Sequence, residues 1–184
     1  MNFNAKGADF EREQAKTLSL WISSGTDSDL LWRSSQSGGR ATAGKVKGAQ
    51  YGDLWYQKPH PEAKAFLELF CIELKRYKSL DLLKAWLNVG NEFNKWWEQN
   101  KRDADKHHVN PLLIMKPNGM PTLMCFEYKL VKNIPTLSDD SRIVMCTDNA
   151  GDGYRNIAIY KQDALIQQTT WEDFKGNLNL ENTV

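Results

Sequence analysis

The run FLELFCIELKRY, residues 66–77, reads as a strand because its sides separate cleanly: Phe70, Ile72 and Leu74 fall on one face, and Cys71, Glu73, Lys75 and Tyr77 on the other. One surface of the strand therefore carries an acid and an amine side by side. Residues 53–57 have the same extended character, and the turn through Pro59, His60 and Pro61 predicts that the two segments pair as an antiparallel hairpin. Asp53, at the start of the first strand, is then brought toward Glu73 and Lys75.

Upstream, residues 5–22 predict an amphipathic helix, since Ala8, Ala15, Leu18 and Ile22 recur at helical spacing. Glu11 completes that series, which puts an acidic residue either at the edge of the apolar stripe, reaching water, or in a site that uses it. Residues 23–52 are rich in Ser, Gly, Thr and Ala, with a short strand expected at 30–33. A loop of this length inside a domain is usually mobile or functional, and its cations Arg33, Arg40, Lys45 and Lys47 suit an anion. No glycine-rich phosphate-binding fingerprint is present.

Downstream, Ser79 reads as the N-cap of a helix over 80–87 that buries Leu83, Trp86 and Leu87. Gly90 interrupts it before a second helix over 91–105 that buries Phe93 and Trp97. Trp86, Phe93 and Trp97 stand at core spacing and read as packing rather than as base-stacking platforms. Strands are expected at 111–116 and 122–130, paired across Pro117, Asn118 and Gly119, and again at 142–146 and 154–160. From Thr170 a short helix or docked segment is anchored by Trp171 and Phe174. The economical fold is one α/β domain over 1–184 with a central mixed β-sheet flanked by helices, its core at roughly 5–130 and a C-terminal extension over 131–184.

The 184-residue chain is the size of one domain, and its seven Trp, seven Phe and six Tyr exceed what a disordered segment carries. No run of eighteen apolar residues and no signal-peptide pattern occur, so no membrane partner is expected and a cytoplasmic setting is. Cys71, Cys125 and Cys146 lack the spacing of a zinc site or a disulfide framework. The net charge of +1 hides a concentration: residues 31–80 hold nine Lys/Arg against four Asp/Glu. A polyanion would meet the chain there.

Asp53, Glu73 and Glu11 meeting on one surface would repel one another unless a cation sat between them. A hard divalent ion takes oxygen ligands and keeps waters for chemistry, and Lys75 beside it could orient an attacking water or hold a phosphate. The chemistry that fits is phosphodiester hydrolysis. His107 and His108 at a helix end read as a solvated turn, His60 as a turn surface residue, and Cys71 as a buried inert thiol.

The same residues resemble the PD-(D/E)XK nuclease superfamily. Residues 6–13, with Glu11, look like the first helix of archaeal Holliday junction resolvases and related phage endonucleases. Residues 33–39 are similar to their serine- and glycine-rich loop, Gly52 and Asp53 to the motif aspartate, and Ile72 to Arg76 to the (D/E)XK core. Trp97, Glu98 and Gln99, the run 101–104 and the strand 111–116 are similar to the helix and strand that follow the motif in phage-encoded members. Glycine stands at 52 where the superfamily's name has proline. The resemblance covers roughly residues 6–116 and implies a restriction-endonuclease-like core, magnesium or manganese dependence, a DNA substrate and a homodimer. By position, Glu11, Asp53 and Glu73 inherit metal-binding roles, Lys75 joins them in catalysis, and Ser35 and Gln99 support. Arg33, Arg40, Lys45, Lys47, Arg76 and Lys78 cluster around that site as phosphate contacts. A DNA-binding or recombination accessory protein that does not cleave, and a protein-interaction domain, are the rival readings.

Overall fold

Helix α1 (Phe3–Ile22) turns Phe10, Ala15, Leu18, Trp21 and Ile22 inward. In this computed structural model residues 3–34, 52–87, 92–134, 142–147 and 155–180 are described. Strands β1 (Leu31–Arg33) and β2 (Leu54–Tyr56) form a short antiparallel ribbon in which Leu31 faces Tyr56, Trp32 faces Trp55 and Arg33 faces Leu54. The ribbon is tied to α1 by Ser19, whose Oγ donates to Ala15 O (2.6 Å) and accepts from Leu31 N (2.9 Å).

The expected hairpin between 53–57 and 66–77 does not form. Pro61 opens helix α2 (Pro61–Leu69) rather than closing a turn, because proline at a helix start gives up an N–H that would have no intrahelical partner. Ala63, Phe66 and Leu67 are the buried side of α2. Strand β3 is correspondingly shorter, Phe70–Tyr77. Its neighbour is β4 (Asn110–Pro117), paired in parallel, and the connection between them carries α3 (Leu82–Trp86) and α4 (Glu92–Lys106).

The other expected strands form where the sequence puts them. β5 (Leu123–Glu127) returns antiparallel to β4, then α5 (Tyr128–Val131) replaces the last residues of the predicted strand. β6 (Arg142–Thr147) and β7 (Arg155–Lys161) pair antiparallel, and the five-stranded mixed sheet runs β3-β4-β5-β7-β6. Helix α6 (Gln162–Gln168), which periodicity does not reveal, and α7 (Trp171–Gly176) follow. Thr170 caps α7, with Asp173 N donating to its hydroxyl (3.1 Å).

The sheet separates two apolar clusters. On one side Phe70, Ile72 and Leu74 of β3, with Leu112 and Ile114 of β4, pack with residues of α1, α2, the ribbon, α6 and α7. On the other, Leu113 and Met115 pack with Phe93 and Trp97 of α4. The expected burial along 80–87 is not observed. The cap is Asp81, which accepts from Lys84 N (3.0 Å), the helix has only five residues, and Leu83, Trp86 and Leu87 are exposed while Ala85 is buried. A single turn and a half has no length over which to lay a stripe against the sheet. Among the described residues no helix is long and apolar enough to cross a membrane.

Candidate active site

β3 is an edge strand, and Asp53 docks on that edge. Asp53 N donates to Ile72 O (2.8 Å), and its Oδ2 accepts from Leu74 N (2.8 Å). The aspartate thus takes the place of a neighbouring strand at that point, its carboxylate standing in for a backbone carbonyl. The same residue joins the ribbon, since Ser34 N donates to Asp53 O (2.8 Å) and the Ser34 hydroxyl to Gly52 O (3.2 Å).

Gly52 makes the approach possible. Its φ is +85°, and a Cβ there would lie 2.5 Å from Ile72 O and 2.8 Å from Ile72 N. These are backbone atoms that cannot swing aside. Proline, whose φ is held near −65°, could not adopt this conformation. The departure from the superfamily's name is therefore written into the backbone of this chain.

Glu73 projects from β3 on the α4 side of the sheet, level with Asp53 and buried at 8% exposure. It forms an ion pair with Lys75, and the amide of Gln99, on α4, donates to the same Oε1 (3.4 Å). Glu11 approaches from the opposite side, on α1, and is held by Arg33 Nε (2.8 Å). Carboxylates from both faces therefore reach toward the edge residue between them. Burial pushes the Asp53 carboxyl up to about 7, and the negative charges of Glu73 and Glu11 add to the rise against the pull of the Leu74 N–H and Lys75.

Of the residues singled out from sequence, Asp53, Glu73, Lys75 and Gln99 are brought together, with Glu11 and Arg33 in charge contact behind Asp53. Arg76, near the end of β3, and Lys78, just beyond it, are exposed. Ser35, Arg40, Lys45 and Lys47 lie outside the described residues. Among those described, no three His, Cys, Asp or Glu side chains converge as a metal-binding group. Burial pushes the Cys71 thiol up to about 12, which keeps it protonated and unreactive beside the acids. The sequence did not reveal that Gly52 holds Asp53 against β3. It also did not reveal that Trp32 and Trp55 face each other across the ribbon, although both lie in segments read as extended.

A donor set of two apposed carboxylates, an amine and a primary amide suits a phosphate ester and a hard cation better than a thiolate or imidazole chemistry. No curated protein and no solved structure matches the chain. A family model described as "Phage putative PDDEXK endonuclease" matches residues 2–182, nearly the entire chain. With that match, the chain belongs to this phage PDDEXK endonuclease family.

Proposed function

We propose that the protein is a metal-dependent endodeoxyribonuclease that hydrolyses DNA phosphodiester bonds at the Asp53–Glu73–Lys75 site. The observation that carries this is the pair of acids from different elements, Glu73 buried and Asp53 half-buried, with the Asp53 carboxyl pushed up to about 7 by burial and by its neighbour's charge. Two carboxylates held together against their own repulsion are a poor arrangement for stability alone and a good one for a cation. Asp53 and Glu73 fit magnesium or manganese as oxygen donors, and Glu11 is the third acid of the set. When bound, such an ion supplies charge neutralisation for the phosphate and a more acidic water.

The chain's own groups do the rest. Lys75, which pairs with Glu73, would turn its ammonium toward a non-bridging phosphate oxygen or an attacking water. Gln99 fixes the Glu73 carboxylate by donating to it, so the acid keeps one orientation as Lys75 moves. Arg33, Arg76 and Lys78, with Arg40, Lys45 and Lys47, supply the basic residues that hold the DNA strand.

Supercoiled plasmid and labelled oligonucleotides incubated with magnesium test the reading. Wild-type protein should cut, and Glu73→Gln or Lys75→Ala should lower the rate by at least about a hundredfold while DNA binding persists. Equal cutting by wild type and Glu73→Gln would end the proposal. Salt-sensitive binding without cutting by any form would establish the accessory-protein reading instead. A resolvase-like specialisation, acting as a homodimer, predicts symmetrical paired nicks in a four-way junction and twice the monomer mass in solution.

A further inference from the structure

Each acid that flanks Asp53 already carries a cation of the chain. Glu73 pairs with Lys75 on its own strand, whereas Glu11 pairs with Arg33, 22 residues away on a different element. By alternation along β1, Arg33 points to the same side as Leu31, the side on which α1 packs. There its Nε donates to Glu11 Oε2 (2.8 Å). Both side chains are sheltered, Glu11 at 13% exposure and Arg33 at 31%. The pair also stands against the candidate site. Arg33 lies across the ribbon from Leu54, Ser34 N donates to Asp53 O, and the charge of Glu11 bears on the Asp53 carboxyl.

Two ligands of opposite sign compete for the members of this pair. A DNA phosphate is a partner for the Arg33 guanidinium, and a divalent ion at Asp53 is a partner for the Glu11 carboxylate. A phosphate that arrives alone draws Arg33 off and leaves the sheltered charge of Glu11 less well compensated. A divalent ion that arrives alone draws Glu11 off and does the same to Arg33. Taking one partner from a sheltered ion pair is costly, because the charge left behind is shielded from water. When both ligands are present each charge has a new partner, and the pair has to be broken only once. Each ligand therefore raises the affinity of the other, and by the same factor.

We propose that Arg33 is a positioning residue that holds Glu11 off the metal until a phosphate of the DNA takes its guanidinium, whereupon Glu11 turns to the ion at Asp53. The DNA-free protein then binds a divalent cation weakly, through Asp53 and Glu73, and the third acid joins them only on DNA. The proposal rests on the nuclease reading of the Asp53–Glu73–Lys75 site and adds to it the coupling of its two ligands. Arg33 serves both the phosphate and the metal, one directly and the other by letting Glu11 go.

The test titrates manganese by calorimetry into metal-free, full-length protein carrying Lys75→Ala throughout, the change expected to suppress cutting while DNA binding persists. Saturating duplex is present or absent, and the manganese taken up by DNA alone is subtracted. DNA should tighten manganese binding about tenfold, within the range for coupling between two sites. Without DNA, Arg33→Gln should already bind manganese about tenfold more tightly than the Arg33 protein and gain little more from DNA. Arg33→Lys should keep both the weaker binding and the coupling. In a Glu11→Gln background most of the Arg33→Gln gain should vanish, which separates release of Glu11 from the mere loss of a positive charge. Manganese binding that DNA leaves unchanged in the Arg33 protein overturns the proposal. So does an Arg33→Gln protein that binds manganese no more tightly without DNA, since Arg33 is then a fixed support for Glu11. Cutting by the Lys75-intact protein without coupling removes this proposal alone. Coupling without cutting by any Lys75-intact form removes the nuclease reading alone.

Discussion

Gly52 carries more of the site than any charged residue can, because it decides where Asp53 goes. A Cβ at 52 would press on Ile72 O at 2.5 Å, and the positive φ adds its own cost for any other residue. Gly52→Ala should therefore lose at least about 2 kcal/mol of stability in urea titrations, and should lower cutting further still as Asp53 is pushed off the β3 edge. A neutral result in both measurements would contradict the close approach. The acids of the site were legible in sequence, since Glu73 and Lys75 two apart on a strand necessarily share a side, and Gly52–Asp53 stood before another extended run. The manner of their meeting was not. Reading the prolines at 59 and 61 as a hairpin turn predicts that Asp53 pairs along the chain of Glu73. In fact α2 intervenes, and one backbone bond and one side-chain bond from Asp53 do the joining. Pro61 permits either outcome locally, and only the packing of Phe66 into the main cluster selects the helix.

Helix α7 shows how much of the fold depends on an element of six residues near the end of the chain. Trp171 is buried against Phe66 of α2 (5.2 Å between ring centroids, 87° between planes) and Trp21 of α1 (5.6 Å, 70°). Its indole N–H donates to Glu62 (2.6 Å), which also accepts from Lys175 (2.8 Å). Hydrogen bonds from Lys175 and Trp171 hold the Glu62 carboxyl below the usual range. Because Glu62 lies near the surface, that contact fixes orientation more than it adds stability. Trp171→Ala should cost about 3–5 kcal/mol, read as a lowered urea midpoint, whereas Glu62→Gln should change it by less than about 1 kcal/mol. A larger effect from Glu62 than from Trp171 would reverse this ranking. The anchoring role of Trp171 and Phe174 could be read in sequence from two large aromatics three residues apart in a polar tail. Helix α6 could not, because its buried Gln162 bonds to Gln14 (2.6 Å) and so presents a polar residue where periodicity looks for an apolar one. The burial expected for Leu83, Trp86 and Leu87 failed for the converse reason. Their spacing is helical, but a five-residue helix cannot bring three side chains onto a sheet already covered by α4.

At the scale of the whole molecule, the raised Asp53 carboxyl links folding, proton binding and metal binding with opposite signs. Without metal, the folded protein keeps a proton on Asp53 up to a pH of about 7, while the unfolded chain releases it near the ordinary aspartate value of 3.8. Between those values the native state binds more protons than the unfolded state, so stability falls as pH rises from about 4 to 7 and then levels off. The full cost is up to about 4 kcal/mol, taking about 1.4 kcal/mol for each pH unit of displacement. Asp53→Asn removes the titrating group and keeps an oxygen to accept from Leu74 N. In chelator, the variant should match wild type near pH 4 and exceed it increasingly toward pH 7. A magnesium ion held at this site would offset part of that deficit, because it would compete with the proton for the carboxylate and bind only the folded form. At 100 times its dissociation constant it should add about 2.7 kcal/mol to wild type, an increment lost as pH falls below 7. Asp53→Asn should show little of that gain at any pH. Thermal unfolding of the two proteins, with chelator and with magnesium, at three pH values gives all of these differences. A wild type whose metal-free stability does not fall between pH 5 and 7 relative to Asp53→Asn would show that Asp53 is already ionised there, and the argument from charge repulsion for a cation at this edge of the sheet would be gone.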